Sequence, residues 1–472
     1  MNSAEKLDYA SHIGNDKNFE KQPATPNLGY SSERAQRAFK GDKYRDVWAT
    51  ILFVLHFAGS CVIFGLYAKY LYEAIKDNSA GIQLRQILAI SVIGLIPLVV
   101  CSLLLLGFLS LAHKYPKNII RGSFISSICL SFALGALTCI GAGGIIAGLP
   151  LFFIGIINLI MYFVWRSRIP FSATMLAHVI KVLDIYPSTW YLAPIAVCFE
   201  SLAAVFFLSA IAAVLVKNNL SSGQQLPPLD LFFIIYLAFS LFWTTQVLQN
   251  VVHTAASGVY ATFYFLHGSG QGVGRPVWSS LKRALTYSFG SIAFGSLIVA
   301  LIQLVRYLLS MSQDGNRRST ANVIADCFLG IIESLVQYFN YYAYIHIAIY
   351  GSPYIESASK TWDLVRSRGI DAVINDDLVG VAMNMGTYCV GILTAAATFV
   401  IVALAAGDLG YGAAAALASF ILAIFMGSAA TQLVKTGVSA TFVCLAEEPS
   451  VLQRNNPELQ RELAVHYSNI TF

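Results

Sequence analysis

The segment that decides the fold is DLFFIIYLAFSLFWTTQVLQNVVHTAASGVYATFYFLH, residues 230–267. Its apolar start is followed by polar and aromatic residues at steps of three and four, namely Trp243, Gln246, Asn250, His253, Ser257 and Tyr260. At 3.6 residues per turn these side chains share one face of a helix. Polar groups at membrane depth are costly unless they meet partners or line a wet cavity. The segment therefore predicts a membrane-spanning helix that forms the wall of a pathway. The alternative is a stripe that only joins helices by hydrogen bonds.

The composition of the whole chain indicates a polytopic membrane protein. Hydrophobic residues make up 57% of the 472 positions and charged residues only 12%. This leaves too little polar surface for a soluble protein of this length. The eight cysteines lie in apolar segments without a CxxC pair. We interpret them as small buried residues rather than disulfides or metal ligands.

Ten apolar segments are long enough to cross a bilayer, which takes about 20 residues of helix. The predicted fold is therefore all-α, with residues 47–445 forming a ten-helix transmembrane domain. The polar residues 1–46 are predicted to be a disordered cytosolic tail without a signal peptide, and residues 446–472 a cytosolic C-terminal tail. The ten predicted spans are 47–68, 87–112, 119–139, 145–165, 191–216, 231–266, 284–311, 321–350, 378–406 and 411–445.

The distribution of basic residues sets the predicted orientation. Most of the 30 Lys and Arg residues lie in the two terminal regions and in every second loop. The positive-inside rule places those regions, and so both termini, in the cytosol. The sequon at Asn219 then lies in an outer loop and is predicted to be glycosylated, whereas the one at Asn469 is cytosolic.

Three cytosolic connections are predicted to be amphipathic interfacial helices, beginning at Pro170, Pro276 and Pro353. The second is predicted to run on into the seventh span, and the third to stop at Gly369 and residues 375–377. The apolar stripe of the first consists of Phe171, Met175, Val179 and Leu183. Lys181 and Asp184 face away from that stripe.

The eighth predicted span is the most polar, and its residues Glu333, Gln337, Tyr341 and Tyr344 share one face. A carboxylate near the middle of a membrane costs roughly 3 kcal/mol, so Glu333 is expected to be paired, protonated or in contact with water. Glu200 and His253 are ionisable residues of the fifth and sixth spans. Each of these groups has the alternative role of a buried polar knot between helices.

The combination of an acid with aromatic residues suits a particular ligand. A quaternary ammonium ion cannot donate hydrogen bonds, so proteins hold it with aromatic faces and a nearby negative charge. His253 or Glu333 would be able to carry a proton during coupling. Aromatic faces are supplied by Trp243, Tyr260, Tyr338, Tyr341 and Tyr342. The alternative is that these rings only pack, since Tyr and Trp are common in spans.

Motifs of other functional classes are missing from the sequence. It contains no Gly-rich phosphate loop with Lys, no HExxH and no GxSxG. An ATP-driven pump and a metalloprotease are therefore not expected. We expect no enzymatic activity, no cofactor, no metal and no nucleic-acid partner.

Five stretches together resemble one family: YRDVWATILFVLHFAGSCVIFGLYA, RSRIPFSATMLAHVIKVL, NVVHTAASGVYATFYF, RALTYSFGSIAFGSL and GIDAVINDDLVG. They are similar to the choline transporter-like family, and most of all to its fungal branch named for sensitivity to alkaline pH. The resemblance extends over residues 44–449. It implies ten spans with cytosolic termini and, from the animal members, transport of choline or ethanolamine. The chain departs from those members in its first outer loop, which is short here and a long glycosylated ectodomain there.

The leading hypothesis is a plasma-membrane carrier or facilitator for choline or a related organic cation such as ethanolamine, in contact with membrane lipids. Glu333 is predicted to supply the counter-charge. Trp243, Tyr338, Tyr341 and Tyr342 are predicted to form an aromatic cage. The polar lining is predicted to include Gln246, Asn250, His253, Tyr260 and Gln337. The alternative is a non-transporting scaffold or lipid-interacting protein with a closed polar core, and a cavity beside the sixth and eighth spans distinguishes the two.

Overall fold

The computed structural model describes residues 43–78, 84–140, 144–218, 226–267, 274–311 and 320–455, together with residues 457 and 461. Residues 1–42 of the predicted N-terminal tail, the predicted glycosylation site Asn219 and most of the C-terminal tail lie outside these ranges, whereas residues 43–46 of the N-terminal tail are described. Every regular element within them is helical, which confirms the all-α class.

The described residues form thirteen α-helices and one short 3-10 helix at Pro187–Tyr191. The helices are α1 Val47–Asn78, α2 Leu84–Lys114, α3 Pro116–Ile140, α4 Gly144–Trp165, α5 Ile169–Ile185, α6 Leu192–Lys217, α7 Pro228–Leu266, α8 Pro276–Leu285, α9 Phe289–Met311, α10 Thr320–Tyr350, α11 Tyr354–Ala406, α12 Leu409–Glu447 and α13 Pro449–Asn455. Each of the ten predicted spans corresponds to one long helix.

Eight of these helices are long and apolar enough to cross a bilayer, or nine if the bent pair α4 and α5 counts as one span. The predicted span outside this set is the eighth, α10, which is 31 residues long. It carries acidic, amide and tyrosine side chains, which lower the hydropathy of a helix. The number of spans in the described residues is therefore eight to nine by composition, and ten stays a prediction.

The outer faces of the helices carry large apolar side chains, such as Leu55, Phe153 and Leu404. A bilayer interior accepts such faces, because the helical backbone satisfies its own hydrogen bonds. The apolar bilayer interior also explains why the prediction that the cysteines are buried was wrong for most of them. Only Cys101 and Cys444 are buried, while five of the other six are exposed, since lipid tails are as apolar as a protein core.

Helix α5 lies across the bundle and is bent by 89° from Leu151–Trp165 of α4. All four residues of its predicted apolar stripe are buried, and Lys181 and Asp184 are exposed as expected. The helix as a whole packs against α2, α3, α11 and α12. Helix α5 is thus a core helix rather than one that rests on lipid.

The other two predicted interfacial helices end at positions that differ from the predicted ones. Helix α8 ends at Leu285, and a break at residues 286–288 separates it from α9. Helix α11 instead continues for 53 residues through Gly369 and residues 375–377. The predicted stop was wrong because one glycine inside a helix costs only about 1 kcal/mol. The helix ends at Ala406, and the following Gly407 has a φ of 66°, the left-handed conformation typical of a C-terminal cap.

Helix α7, the helix of the opening segment, is the centre of the bundle. It packs against α6, α8, α9, α10 and α12. Residues from α7 contribute to three of the buried apolar clusters. The polar stripe of α7 is therefore surrounded by protein rather than lipid, which is the condition for a site within the membrane.

Gly437 of α12 marks the closest approach between three core helices. A Cβ atom there would overlap the Tyr260 ring of α7 and a methyl group of Val179 in α5. The Tyr260 ring cannot swing away freely, because its hydroxyl donates to the Leu433 carbonyl oxygen at 3.2 Å. We expect Gly437→Ala to cost about 1–3 kcal/mol of stability, as overpacking of cores does.

Thermal unfolding of the purified protein in detergent checks this expectation. Gly380→Ala is the matched control, since a Cβ at Gly380 of α11 has open space within 4 Å. Equal melting temperatures for the two variants would contradict the close packing at Gly437.

Candidate functional site

A cavity of about 330 Å³ lies between α6, α7, α9, α10 and α12. This volume falls at the lower end of the range of about 300–1,000 Å³ that is usual for small-molecule sites. The lining residues are Ala196, Glu200, Gln246, Gln249, Asn250, Val252, His253, Val299, Gln337, Asn340, Tyr341, Phe425, Ser428, Ala429 and Gln432. Amide side chains dominate this lining, and Glu200 is the only carboxylate among the described residues that form it.

Half of the predicted site residues lie on this cavity. The stripe of α7 contributes Gln246, Asn250 and His253, and α10 contributes Gln337 and Tyr341. Their spacing of three and four residues in the sequence indicated this arrangement, since each helix turns one polar face to the cavity. The other five predicted residues lie elsewhere.

Trp243 and Tyr260 pack between helices and do not line the cavity. The Trp243 Nε1 atom donates to the Ala293 carbonyl oxygen at 3.0 Å, and its ring stacks on His56 with 4.3 Å between centroids. Both Trp243 and Tyr260 are 1% exposed. These two residues match the alternative of a stripe that joins helices.

Tyr338 and Tyr342 also lie off the cavity. Their ring centroids are 5.0 Å apart, and both side chains pack against the apolar cluster built on α5, α7 and α12. Of the four residues of the predicted aromatic cage, only Tyr341 lines the cavity. The structure therefore does not assemble that cage, and Phe425 is the second aromatic ring in the lining.

Glu333 lies in an ion-pair network rather than on the cavity wall. The Arg306 Nη1 atom donates to Glu333 Oε2 at 2.5 Å, and the Arg306 Nε atom donates to Asp326 Oδ1 at 2.8 Å. The amides of Gln303 and Gln337 donate to Glu333 Oε1 at 2.9 and 3.1 Å. Because Arg306 and two amides already bind both of its carboxylate oxygens, Glu333 does not fit the predicted role of counter-charge for a ligand.

Glu200 is the acid that the cavity exposes to a ligand. Its residue is 8% exposed, it lies on the cavity wall, and the Gln249 amide is the neighbouring polar group. In the part of the chain that the structure describes, no Lys or Arg forms an ion pair with it. The sequence shows a carboxylate in this span. The sequence does not show whether an arginine from another helix pairs with this carboxylate, because that depends on how the helices pack.

The histidine of the stripe is held rigidly. His253 Nε2 donates to the Tyr341 carbonyl oxygen at 2.9 Å, and Nδ1 lies 2.8 Å from the Thr436 hydroxyl. The rings of His253 and Tyr341 stack with 4.0 Å between centroids. Since both ring nitrogens already have partners, His253 forms a fixed wall of the cavity.

Two asparagines on the wall are fixed by neighbours behind them. The Asn250 Nδ2 atom donates to the Ser296 hydroxyl at 2.9 Å. The Asn340 Nδ2 atom donates to the Gly295 carbonyl oxygen at 2.9 Å. Helix α9 thus orients amides of both α7 and α10. A preorganised polar lining of this type favours one ligand geometry over others.

The lining of the cavity is partly buried and partly exposed. Beyond His253, every residue of α7 as far as Phe265 is buried. The lining residues Gln249, Gln337 and Ser428 are exposed, so the cavity reaches the surface of the protein at these residues.

The comparison with protein families gives one match that covers most of the chain. The family model described as plasma-membrane choline transporter matches residues 149–450. This range contains every residue of the cavity lining.

Individual relatives match over still longer ranges. Protein PNS1 of Eremothecium gossypii is 32% identical over 384 residues, which are 77% of this chain and 69% of that protein. Protein PNS1 of Mycosarcoma maydis is 30% identical over 481 residues, 97% of this chain and 88% of that protein. A CTL-like protein of Dictyostelium discoideum is 33% identical over 449 residues, 91% and 76% respectively. This multi-pass membrane protein therefore belongs to the choline transporter-like family, in the branch that contains Protein PNS1.

Proposed function

We propose that the protein carries a small organic cation, such as choline or ethanolamine, across the plasma membrane as a secondary carrier or facilitator. The observation that carries this proposal is the Glu200 carboxylate, which has no described cationic partner and lies in a cavity of neutral side chains. A buried charge of this type is costly unless something balances it. A bound cation would balance it. Membership of a family of membrane transporters supports the same reading.

The lining offers suitable contacts for the rest of such a ligand. Tyr341 and Phe425 present aromatic faces, which attract ammonium groups. The amides of Gln246, Gln249 and Gln432 offer acceptors for the hydroxyl group that choline and ethanolamine share. The quaternary ammonium of choline would rely on the aromatic faces. The primary ammonium of ethanolamine would also donate hydrogen bonds to the amide oxygens.

Uptake into proteoliposomes tests the proposal. Purified protein is reconstituted, and the entry of radiolabelled choline and of radiolabelled ethanolamine is followed against liposomes without protein. The proposal predicts saturable uptake of at least one cation and competition by the other. The absence of both uptake and binding for both cations would contradict it.

The alternative of a non-transporting scaffold is less well supported by the geometry. A scaffold needs a closed core in which polar groups are paired across helices. The network of Glu333 fits that description, but Glu200 and the exposed lining residues of the cavity do not. We therefore propose transport as the activity, without an enzymatic step.

We further propose ten spans, with α10 among them and both termini in the cytosol. This arrangement places the start of α7 on the outer side. It also places the sequon at Asn219 outside.

We expect a glycosidase to increase the gel mobility of the wild-type protein and to leave the mobility of Asn219→Gln unchanged. Asn469→Gln is the control, because its sequon would be cytosolic and unused. A mobility shift that depends on Asn469 would reverse the proposed orientation.

A further inference from the structure

The residues that precede α1 form a strap, residues 43–46, that docks on two other helices. The Asp46 Oδ2 atom accepts hydrogen bonds from the Ser291 hydroxyl at 2.7 Å and from the Tyr354 backbone N–H at 2.8 Å. Arg45 Nε donates to the Gly351 carbonyl oxygen at 3.2 Å. The strap therefore ties the beginning of α1 to the beginnings of α9 and α11.

The backbone of the strap packs closely against Gly290 of α9. A Cβ atom at Gly290 would overlap the backbone carbonyl oxygens of Arg45 and Asp46. Asp46 itself has a φ of 47°, a left-handed conformation in which Asp and Asn are enriched among residues other than glycine. Both features show that the backbone is held in a specific position here.

Tyr354 connects this strap to the cavity. Its backbone N–H is bound by Asp46, and its hydroxyl group donates to Asn340 Oδ1. Asn340 lines the cavity, and its Nδ2 atom already donates to the Gly295 carbonyl oxygen. The Asn340 amide is thus fixed at both polar ends, and the fixing group at one end is anchored by the strap. Tyr354 and Asn340 are 8% and 3% exposed, so water cannot easily replace either bond.

We propose that Asp46 and Tyr354 are positioning residues that act on the cavity through Asn340. This inference rests on the proposed function, since it concerns the affinity of the same cavity for its cation. A wall amide held in one orientation binds a ligand without first being ordered. Loss of the strap therefore weakens substrate binding, which raises KM, and leaves the maximal rate per molecule nearly unchanged.

Substitutions at both ends of the connection test the proposal by uptake kinetics, normalised to the amount of folded protein. We expect Tyr354→Phe and Asp46→Ala each to raise KM about three- to tenfold, the effect of one lost hydrogen bond. Asp46→Asn keeps an acceptor oxygen and tolerates the left-handed backbone, so it restores most of the affinity. In an Asn340→Ala background, neither substitution raises KM further, because the group through which they act is gone.

Two matched controls separate positioning from general stability. Asp408→Ala removes another aspartate at a helix start, whose side chain accepts from the exposed Gly410 N–H. Tyr236→Phe removes another tyrosine hydroxyl, which donates to the His56 carbonyl oxygen at 2.7 Å. Neither control is expected to change KM. An unchanged KM with Tyr354→Phe, or effects that add fully to Asn340→Ala, would overturn the proposal.

Hydrogen exchange gives a readout that needs no substrate. We expect Asp46→Ala to speed backbone exchange at residues 337–344 and at the start of α11, and Asp408→Ala to leave both segments unchanged. Exchange that stays at the wild-type rate in Asp46→Ala would overturn the connection itself. If the wild-type protein transports neither cation, the proposed function is wrong. Hydrogen exchange in Asp46→Ala still tests the connection between the strap and Asn340 in that case.

Discussion

Replacement of Glu200 by glutamine is expected to reduce cation uptake at least about 30-fold, with normal folding and membrane insertion. The substitution keeps the size of the side chain and removes the only carboxylate that the described residues contribute to the cavity lining. Loss of one partner of a buried charge pair costs about 2–5 kcal/mol, and 1.4 kcal/mol is about tenfold in affinity. The measurement is the initial rate of uptake of labelled choline and ethanolamine into proteoliposomes, divided by the amount of folded protein.

Glu356→Gln is the matched control for this prediction. Glu356 of α11 forms an exposed i,i+4 pair with Lys360 at 2.8 Å and lies away from the cavity. We expect this control to keep wild-type uptake, because exposed pairs contribute little. Uptake by Glu200→Gln within twofold of the wild type would show that another group balances the cation.

Replacement of Arg306 by methionine is expected to destabilise the fold rather than alter the cavity. The guanidinium group joins Asp326 and Glu333 of α10 to α9. Glu333 is 8% exposed and would be left without its cation. A buried group without its partner costs about 1–3 kcal/mol, and the partial exposure of Arg306 favours the lower part of that range. Thermal unfolding of the purified protein measures this loss.

Two further variants complete this test. Lys360→Met breaks the exposed pair with Glu356 and is expected to leave the melting temperature almost unchanged. The double variant Arg306→Met with Glu333→Gln is expected to recover part of the lost stability, because no buried charge remains unpaired at Glu333. A stable Arg306→Met protein that loses uptake would instead assign this network to transport.

The sequence alone predicted the helical architecture and the polar face of α7. Runs of about 20 apolar residues and the period of 3.6 are local signals, and a bilayer leaves few alternatives to helices. The stripe correctly indicated that Gln246, Asn250 and His253 face the same space. Local signals were weaker at helix ends, where Gly369 failed to stop α11 and the break at residues 286–288 was not foreseen.

The choice of acid was beyond the reach of sequence reasoning. Glu333 and Glu200 look alike in a sequence, since each is a carboxylate within an apolar span. Their roles differ because Arg306, 27 positions before Glu333, reaches one of them and no described cation reaches the other. Pairing between helices depends on the rotation of each helix about its axis. The rotation of α10 likewise decides that Tyr341 lines the cavity while Tyr338 and Tyr342 pack behind it.

The most direct test of the central claim, that this cavity binds an organic cation, is equilibrium binding of labelled choline and ethanolamine to a protein whose cavity is filled. Ala429→Trp places a large side chain on the cavity wall without removing a charge or a hydrogen bond. Ala58→Trp adds the same side chain on the exposed face of α1 and serves as the control. We expect binding to be lost in Ala429→Trp and kept in Ala58→Trp, with both proteins folded. Full binding by a folded Ala429→Trp protein would contradict the account and move the site elsewhere.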